Sequence, residues 1–307
     1  MPEAWRIGPD SVGDADGAGE SCVAVTVARH AVRSLYQELT LYPKPGLVSL
    51  VDTGSHDDMD ASTFVRSLFS LRRYFQDIAL AGAHGDGFDV LRGLGIEAER
   101  RMLLATGGIN THRGAIFSLG LLCAAAGRAY AGAGAGAGTV GRDWPPELLR
   151  ATLVDSWGQA LAGHRGPATS HGAAASARYA AAGAREQAAA GFPVIFELAL
   201  PTLRKTLAAG RGLRCARIDA LFALMAELSD TNVYHRGGIE GARIVRDTAL
   251  RFLERGGTAA SGWEEDAVVA HRRFVAQRLS PGGAADLLAA TCFIHALDAA
   301  PKLLEPA

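Results

Sequence analysis

The sequence predicts an all-α fold, a compact bundle of roughly nine or ten helices with its chemistry in loops at helix ends. Three observations carry that prediction. Apolar residues recur at helical spacing: Phe64, Leu68, Leu71, Phe75 and Ile78 form one stripe, Leu221, Phe222, Leu224, Met225 and Leu228 another, and Val25, Val32, Leu35 and Leu39 a third. Start and stop residues frame these stripes. No segment offers a period-two run of β-branched residues closed by hairpin turns.

Taken in order, the first twenty residues hold Asp10, Asp14, Asp16 and Glu20 without an apolar stretch, and read as a disordered acidic tail rather than a signal segment. Residues 21–307 read as a single helical domain. Its first helix carries Val25 to Leu39, and a second begins near Ala61. The alternating Ala and Gly of Ala131–Gly141 describe a flexible surface loop. Pro145 and Pro146 suit the first turn of a helix through Leu149, Leu153 and Trp157. Ser261-Gly-Trp-Glu264 has capping-box spacing for a helix that reaches Phe274. Pro281-Gly-Gly283 stops that helix and opens a last one through Leu287, Leu288 and Ile294.

Composition narrows the function. The chain has 307 residues and a formal charge of -1, so it lacks the global basic field of a nucleic-acid binder. Cys22, Cys123, Cys215 and Cys292 are widely spaced without a CxxC pair, which argues against a zinc knuckle or a disulfide framework. The weakly apolar stretch from Leu121 to Gly138 contains Arg128 and dissolves into Ala and Gly, a poor membrane span. A soluble, cytoplasmic protein is expected.

The densest chemistry lies between Pro43 and Asp60. Lys44 stands between Pro43 and Pro45, so a stiff loop presents its ammonium as a point charge suited to phosphate. His56-Asp-Asp-Met-Asp60 packs three carboxylates into four residues, and these repel one another unless a cation or proton sits among them. Extended backbone aims His56, Asp58 and Asp60 the same way, and a helical start brings His56 to Asp60. Either suits Mg²⁺, which takes carboxylates together with substrate phosphates and water. The plainer reading is an acidic helix N-terminus with Asp60 as its cap.

Two further loops carry polar groups. Thr106-Gly-Gly-Ile-Asn-Thr-His-Arg-Gly114 opens an apolar helix, and its glycines with Asn110, Thr111, His112 and Arg113 describe an anion cradle without the Gly-Lys-Ser/Thr of a Walker sequence. Asn110 or Thr111 capping that helix is the simpler alternative. Ser229-Asp-Thr-Asn-Val-Tyr-His-Arg-Gly-Gly238 offers Asp230 as a metal ligand or general base, beside Asn232, His235 and Arg236, or else forms a helix-end turn. Ser170-His-Gly172, Arg185-Glu186 and Leu279-Ser-Pro-Gly-Gly283 are weaker, and His30, His84, His164, His271 and His295 have no evident partner.

Together and in this order, the motifs resemble the triphosphoribosyl-dephospho-CoA synthase family. The resemblance rests on Pro43-Lys-Pro-Gly-Leu-Val48, His56-Asp-Asp-Met-Asp60, the run Gly107–Gly120, Arg185-Glu186 with Gly191-Phe-Pro193, Asp230-Thr-Asn232 with Arg236-Gly-Gly238, and Leu279–Ala289. It covers the chain from about Ala28 to Leu297. Arg113 stands where lysine is common, and Ala284 where serine is common. Ser49–Asp58 followed by Phe64-Val-Arg-Ser-Leu-Phe69 is most similar to the malonate decarboxylase branch, with the citrate lyase branch a close relative.

The resemblance implies that ATP and 3′-dephospho-CoA give 2′-(5″-triphosphoribosyl)-3′-dephospho-CoA and adenine. The product would pass to a holo-acyl-carrier-protein-forming transferase, and a homodimer is a further expectation. It also implies roles: Asp58 and Asp60 on Mg²⁺, and Lys44 and Arg113 on phosphate. Asn110, Thr111, His112, Arg185, Asn232, Arg236, Ser280, Gly282 and Gly283 would bind nucleotide. Asp230, with Glu186 as second choice, serves the ribosyl centre beside His56. Three rivals remain: an HD-type phosphohydrolase built on His56-Asp57 with His30, His84 and His112, a prenyl-diphosphate enzyme, and a non-enzymatic helical binding protein. The acidic runs fit the prenyl enzyme poorly, because Asp57-Asp58-Met-Asp60 lacks DDxxD spacing.

Overall fold

The computed structural model describes residues 12–132, 144–164 and 184–299. Residues 133–141 of the Ala/Gly stretch and Ser170-His-Gly172 lie outside them. Every regular element among the described residues is helical, as the sequence predicts. The α-helices are α1 (Val12–Leu39), α2 (Ala61–Ser70), α3 (Arg72–His84), α4 (Phe88–Thr106), α5 (Arg113–Gly132), α6 (Pro146–Leu153) and α7 (Gln159–Gly163). After them come α8 (Ala184–Ala189), α9 (Leu200–Ala208), α10 (Gly212–Glu227), α11 (Thr231–Glu254), α12 (Trp263–Ala276) and α13 (Gly282–Asp298). Helix α1 begins at Val12, inside the segment set aside as a tail.

Most boundaries have local causes. Pro146 occupies the first turn of α6, where its missing N–H costs nothing. The Phe64–Ile78 stripe is continuous, yet it spans two helices that meet at Leu71, whose N–H reaches back to Leu68 and Phe69. One expectation needs correction: Ser261 does not cap α12. Gly262 in the left-handed region is the cap residue and makes no side-chain bond, so Glu264, Glu265 and Asp266 meet the helix dipole instead.

The core is an apolar cluster running through α1, α3, α5, α10 and α13. Helices α3 and α5 approach backbone to backbone: a Cβ on Gly82 would strike Ala124, and one on Gly127 would strike Ala79. Small residues at that crossing therefore set the interhelical distance. Helix α5 is long and apolar enough to cross a membrane, but 67% of its apolar window is buried inside the fold, as a core helix requires. All four cysteines are free.

The packing places the N-termini of α5, α11 and α13 together. Asp230, the N-cap of α11, accepts from Asn232 N at 2.9 Å and from Ala284 N in the first turn of α13 at 3.1 Å. Asp286 of α13 lies against the start of α5, where Gly114 leaves no Cβ in its way. One end of the bundle thus gathers helix-start N–H groups and partial positive charge, with Asp230 accepting from α11 and α13.

Candidate active site

The loop from Leu41 to Asp60 forms one wall. His271 of α12 fixes it: Nε2 lies 3.3 Å from Asp52 Oδ2, and Nδ1 lies 3.0 Å from Lys44 O and 3.3 Å from Gly46 N. His271 had no evident partner in the sequence, because its partners are more than 200 residues away. Lys44 does not point outward as a free ammonium. Its Nζ is buried and donates to Glu38 Oε1 at 2.5 Å and Glu38 O at 2.7 Å. Burial lowers its pKa, and Glu38 opposes that shift.

His56 joins three loops. Arg236 donates to its Nδ1 at 3.0 Å, leaving Nε2–H to donate to Ser280 Oγ at 2.9 Å. Arg236 also donates to Ser55 O at 3.1 Å. Burial and the neighbouring Arg236 both lower the His56 pKa, so the ring is neutral. Arg236 sits before Gly238, whose φ of 60° breaks the helical path of α11, a conformation that only glycine adopts without strain.

On the loop before α5, Thr111 donates to Ser67 Oγ at 2.7 Å, and Ser67 Oγ lies 2.6 Å from His112 Nδ1. His112 is buried against Phe64, its Nε2 has no partner, and burial followed by the charge of Lys44 pushes its pKa down to about 3. It therefore faces inward, not toward solvent. Asn110 accepts from Arg113 N at 3.2 Å and caps α5, while the Arg113 side chain pairs with Glu99 of α4.

The carboxylates separate into two groups. Asp58 is exposed, its Oδ1 3.6 Å from His56 Nδ1. Asp60 caps α2 in a full capping box, its Oδ1 accepting from Thr63 N, Thr63 Oγ1 and Ser62 Oγ, and these bonds hold its pKa at about 2. Asp230 is buried and Asp286 half-buried. Burial raises the Asp230 pKa against four backbone donors, those of Asn232, Ala284, Gly283 and Val233. Burial, Glu38 and Asp230 all raise that of Asp286, with Ala115 N–H opposing.

The loops His56–Asp60 and Asp230–Arg236 therefore meet through Ser280, and the start of α5 that follows Asn110–Arg113 meets α13 at Asp286. Asn232 Nδ2 lies beside Gly282, and Asp230 beside Gly283. Arg185 and Glu186 are placed elsewhere. Arg185 donates to His164 O, and His164 packs on Phe88 at the start of α4. That start is about 27 Å along the 19-residue helix from Thr106. Nor do His30 and His84 gather around His56: His84 faces Glu20, and His30 lines a cleft with Leu203 and Arg217.

Sequence reasoning missed Glu38 and Asp286. Each is a charge in an apolar helical context, Glu38 beside Leu35 and Leu39, Asp286 between Ala285 and Leu287, and that mismatch was the available signal.

Among the described residues, no group of three or more His, Cys, Asp or Glu side chains is arranged to hold a metal ion. Asp58 is exposed and Asp60 uses Oδ1 for its cap, and Mg²⁺ takes carboxylates of this kind together with phosphate oxygens and water.

Residues 24–303 match the profile of a family described as ATP:dephospho-CoA triphosphoribosyl transferase, CitG. Three relatives carry the name probable 2-(5''-triphosphoribosyl)-3'-dephosphocoenzyme-A synthase. The chain is 40% identical to the one from Acinetobacter calcoaceticus over 282 residues, 87% of this chain and 92% of the relative. It is 39% identical to that of Pseudomonas syringae pv. tomato, covering 91% and 93%, and 40% identical to that of Stutzerimonas stutzeri, covering 89% and 92%. No solved structure matches.

Proposed function

The chain belongs to the ATP:dephospho-CoA triphosphoribosyl transferase family, and on that premise we propose that it transfers the triphosphoribosyl group of ATP to the 2′-hydroxyl of 3′-dephospho-CoA, releasing adenine. The observation that carries this reading is the meeting of three helix N-termini, those of α5, α11 and α13, around Asp230 and Asp286. Such an end favours a polyanion nearby through its helix dipoles, while the first-turn N–H groups of α11 and α13 serve Asp230. A reaction that keeps the triphosphate and breaks a glycosidic bond needs an anion cradle beside carboxylates.

The residues divide the work. Asn232, Gly282, Gly283, Asn110 and Thr111 line the cradle, and Arg236 and Arg113 supply outer charge. Lys44, spent on Glu38, lends its charge from beneath rather than reaching a phosphate. Asp58 and Asp60 would hold Mg²⁺, which would supply neutralisation of the triphosphate charge. Asp230 accepts from backbone donors of both α11 and α13, so it positions one helix against the other beside the oxocarbenium-like centre. His56 holds Arg236 and Ser280 in register.

The product serves the malonate decarboxylase acyl-carrier subunit in this proposal, supported by the Ser49–Asp58 and Phe64–Phe69 runs, with citrate lyase as the alternative. Transfer to a holo-acyl-carrier-protein-forming enzyme, homodimer assembly and a cytoplasmic location belong to the same reading. Mass spectrometry of ATP plus dephospho-CoA, with and without Mg²⁺, tests it. Free adenine and the triphosphoribosyl adduct are expected, whereas phosphate or pyrophosphate without adenine would replace transfer with hydrolysis.

A further inference from the structure

We propose that Asp286 is the general acid that protonates adenine as it departs, a role that rests on the reaction proposed above. Four features of its setting argue for this. It is half-buried at the point where α13 meets α5, with its carboxylate against the start of α5. Gly114 has no side chain to cover it. Its backbone donor is Ala115 N–H, against four donors at Asp230. The buried ammonium of Lys44 is paired with Glu38, the carboxylate that presses on Asp286 from α1.

Charges around it favour the same state. Glu38 presses on it from α1 and Asp230 from the start of α11, both anionic neighbours, while Ala115 N–H from α5 opposes them weakly. His112, beside Lys44, is neutral. Where two carboxylates share a site and one takes nearly all the backbone donors, that one keeps the charge and the other keeps the proton. Asp230 is the charged member and Asp286 the protonated one.

The step balances. The glycosidic C1″–N9 bond breaks with its electron pair passing to the purine, and a purine ring nitrogen takes the Asp286 proton. C1″ bonds to the attacking 2′-oxygen, whose proton passes through solvent and reloads Asp286.

The test compares ATP with N7-methyl-ATP, whose cationic base leaves without needing a proton. Asp286→Asn is expected to lower adenine release from ATP by about 10²-fold or more, with KM for ATP within about threefold, while turnover of N7-methyl-ATP stays near wild type. Equal slowing on both substrates, or no slowing on ATP, overturns the role. Should Asp286→Asn fail to fold, the wild-type enzyme alone decides. Its kcat for ATP must fall on the alkaline side as the acid deprotonates, and that limb must vanish with N7-methyl-ATP. A limb identical for both substrates overturns the proposal. Wild type that releases no adenine from ATP overturns the transfer reaction itself, and the assignment of Asp286 with it, which is a distinct result.

Discussion

Lys44 donates to both the carboxylate and the backbone carbonyl of Glu38, at 2.5 and 2.7 Å, with both side chains almost completely buried. The pair ties the C-terminal end of α1 to the loop that forms one wall of the site. Removing either partner leaves an uncompensated buried charge, which costs about 3–5 kcal/mol. Lys44→Met and Glu38→Gln should each lower the urea midpoint strongly. The double variant should recover much of the loss, and a double variant no better than the singles would remove the pairing as the cause.

His112 makes stability sensitive to acid. Its folded pKa is about 3 against an unfolded value of 6.5, so the unfolded chain binds more protons between these values. The stabilisation is complete above 6.5 and is lost as pH falls toward 3, by at most about 1.4 kcal/mol per pH unit. His112→Gln should flatten the unfolding free energy across that window relative to wild type. Parallel pH slopes for the two proteins would count against the assignment.

Asp230→Ala should reduce adenine release far more than ATP affinity, because it frees the N-termini that it holds together. Loss of the cap alone costs about 1–2 kcal/mol of stability, read from thermal unfolding. Unchanged turnover with weakened nucleotide binding would make Asp230 a binding residue.

Gly114→Ala isolates the position of Asp286. The added methyl collides with its carboxylate. We expect kcat to fall by at least about tenfold while KM for ATP changes little, since a misplaced catalytic group costs rate before affinity. Full activity would mean that Asp286 has room to move without consequence.

Asp60 has two duties that one substitution separates. Asp60→Ser keeps a side-chain oxygen for the cap of α2 and removes the carboxylate, whereas Asp58→Asn touches no cap. Both variants should stay folded and need more Mg²⁺ for half-maximal turnover. A Mg²⁺ titration superimposable on wild type for both would exclude these residues as ligands.

By itself the sequence determined the helical class, the loops that carry chemistry and the family resemblance. Those properties are local: apolar spacing, caps, glycines and contiguous motifs such as His56–Asp60 are set by residues a few positions apart. Tertiary structure decided which way the polar groups face. Lys44 and His112 lie on loops that look exposed in sequence but point inward, because Glu38 and Ser67 meet them from helices distant along the chain. Arg185 and Glu186 share the motif order yet sit near the far end of α4. Asp286 reads as one polar residue in an apolar helix, and only the packing of α13 on α5 brings it to Gly114 and Asp230. Burial and the charge of a neighbour depend on long-range packing, and spacing along one chain does not encode them.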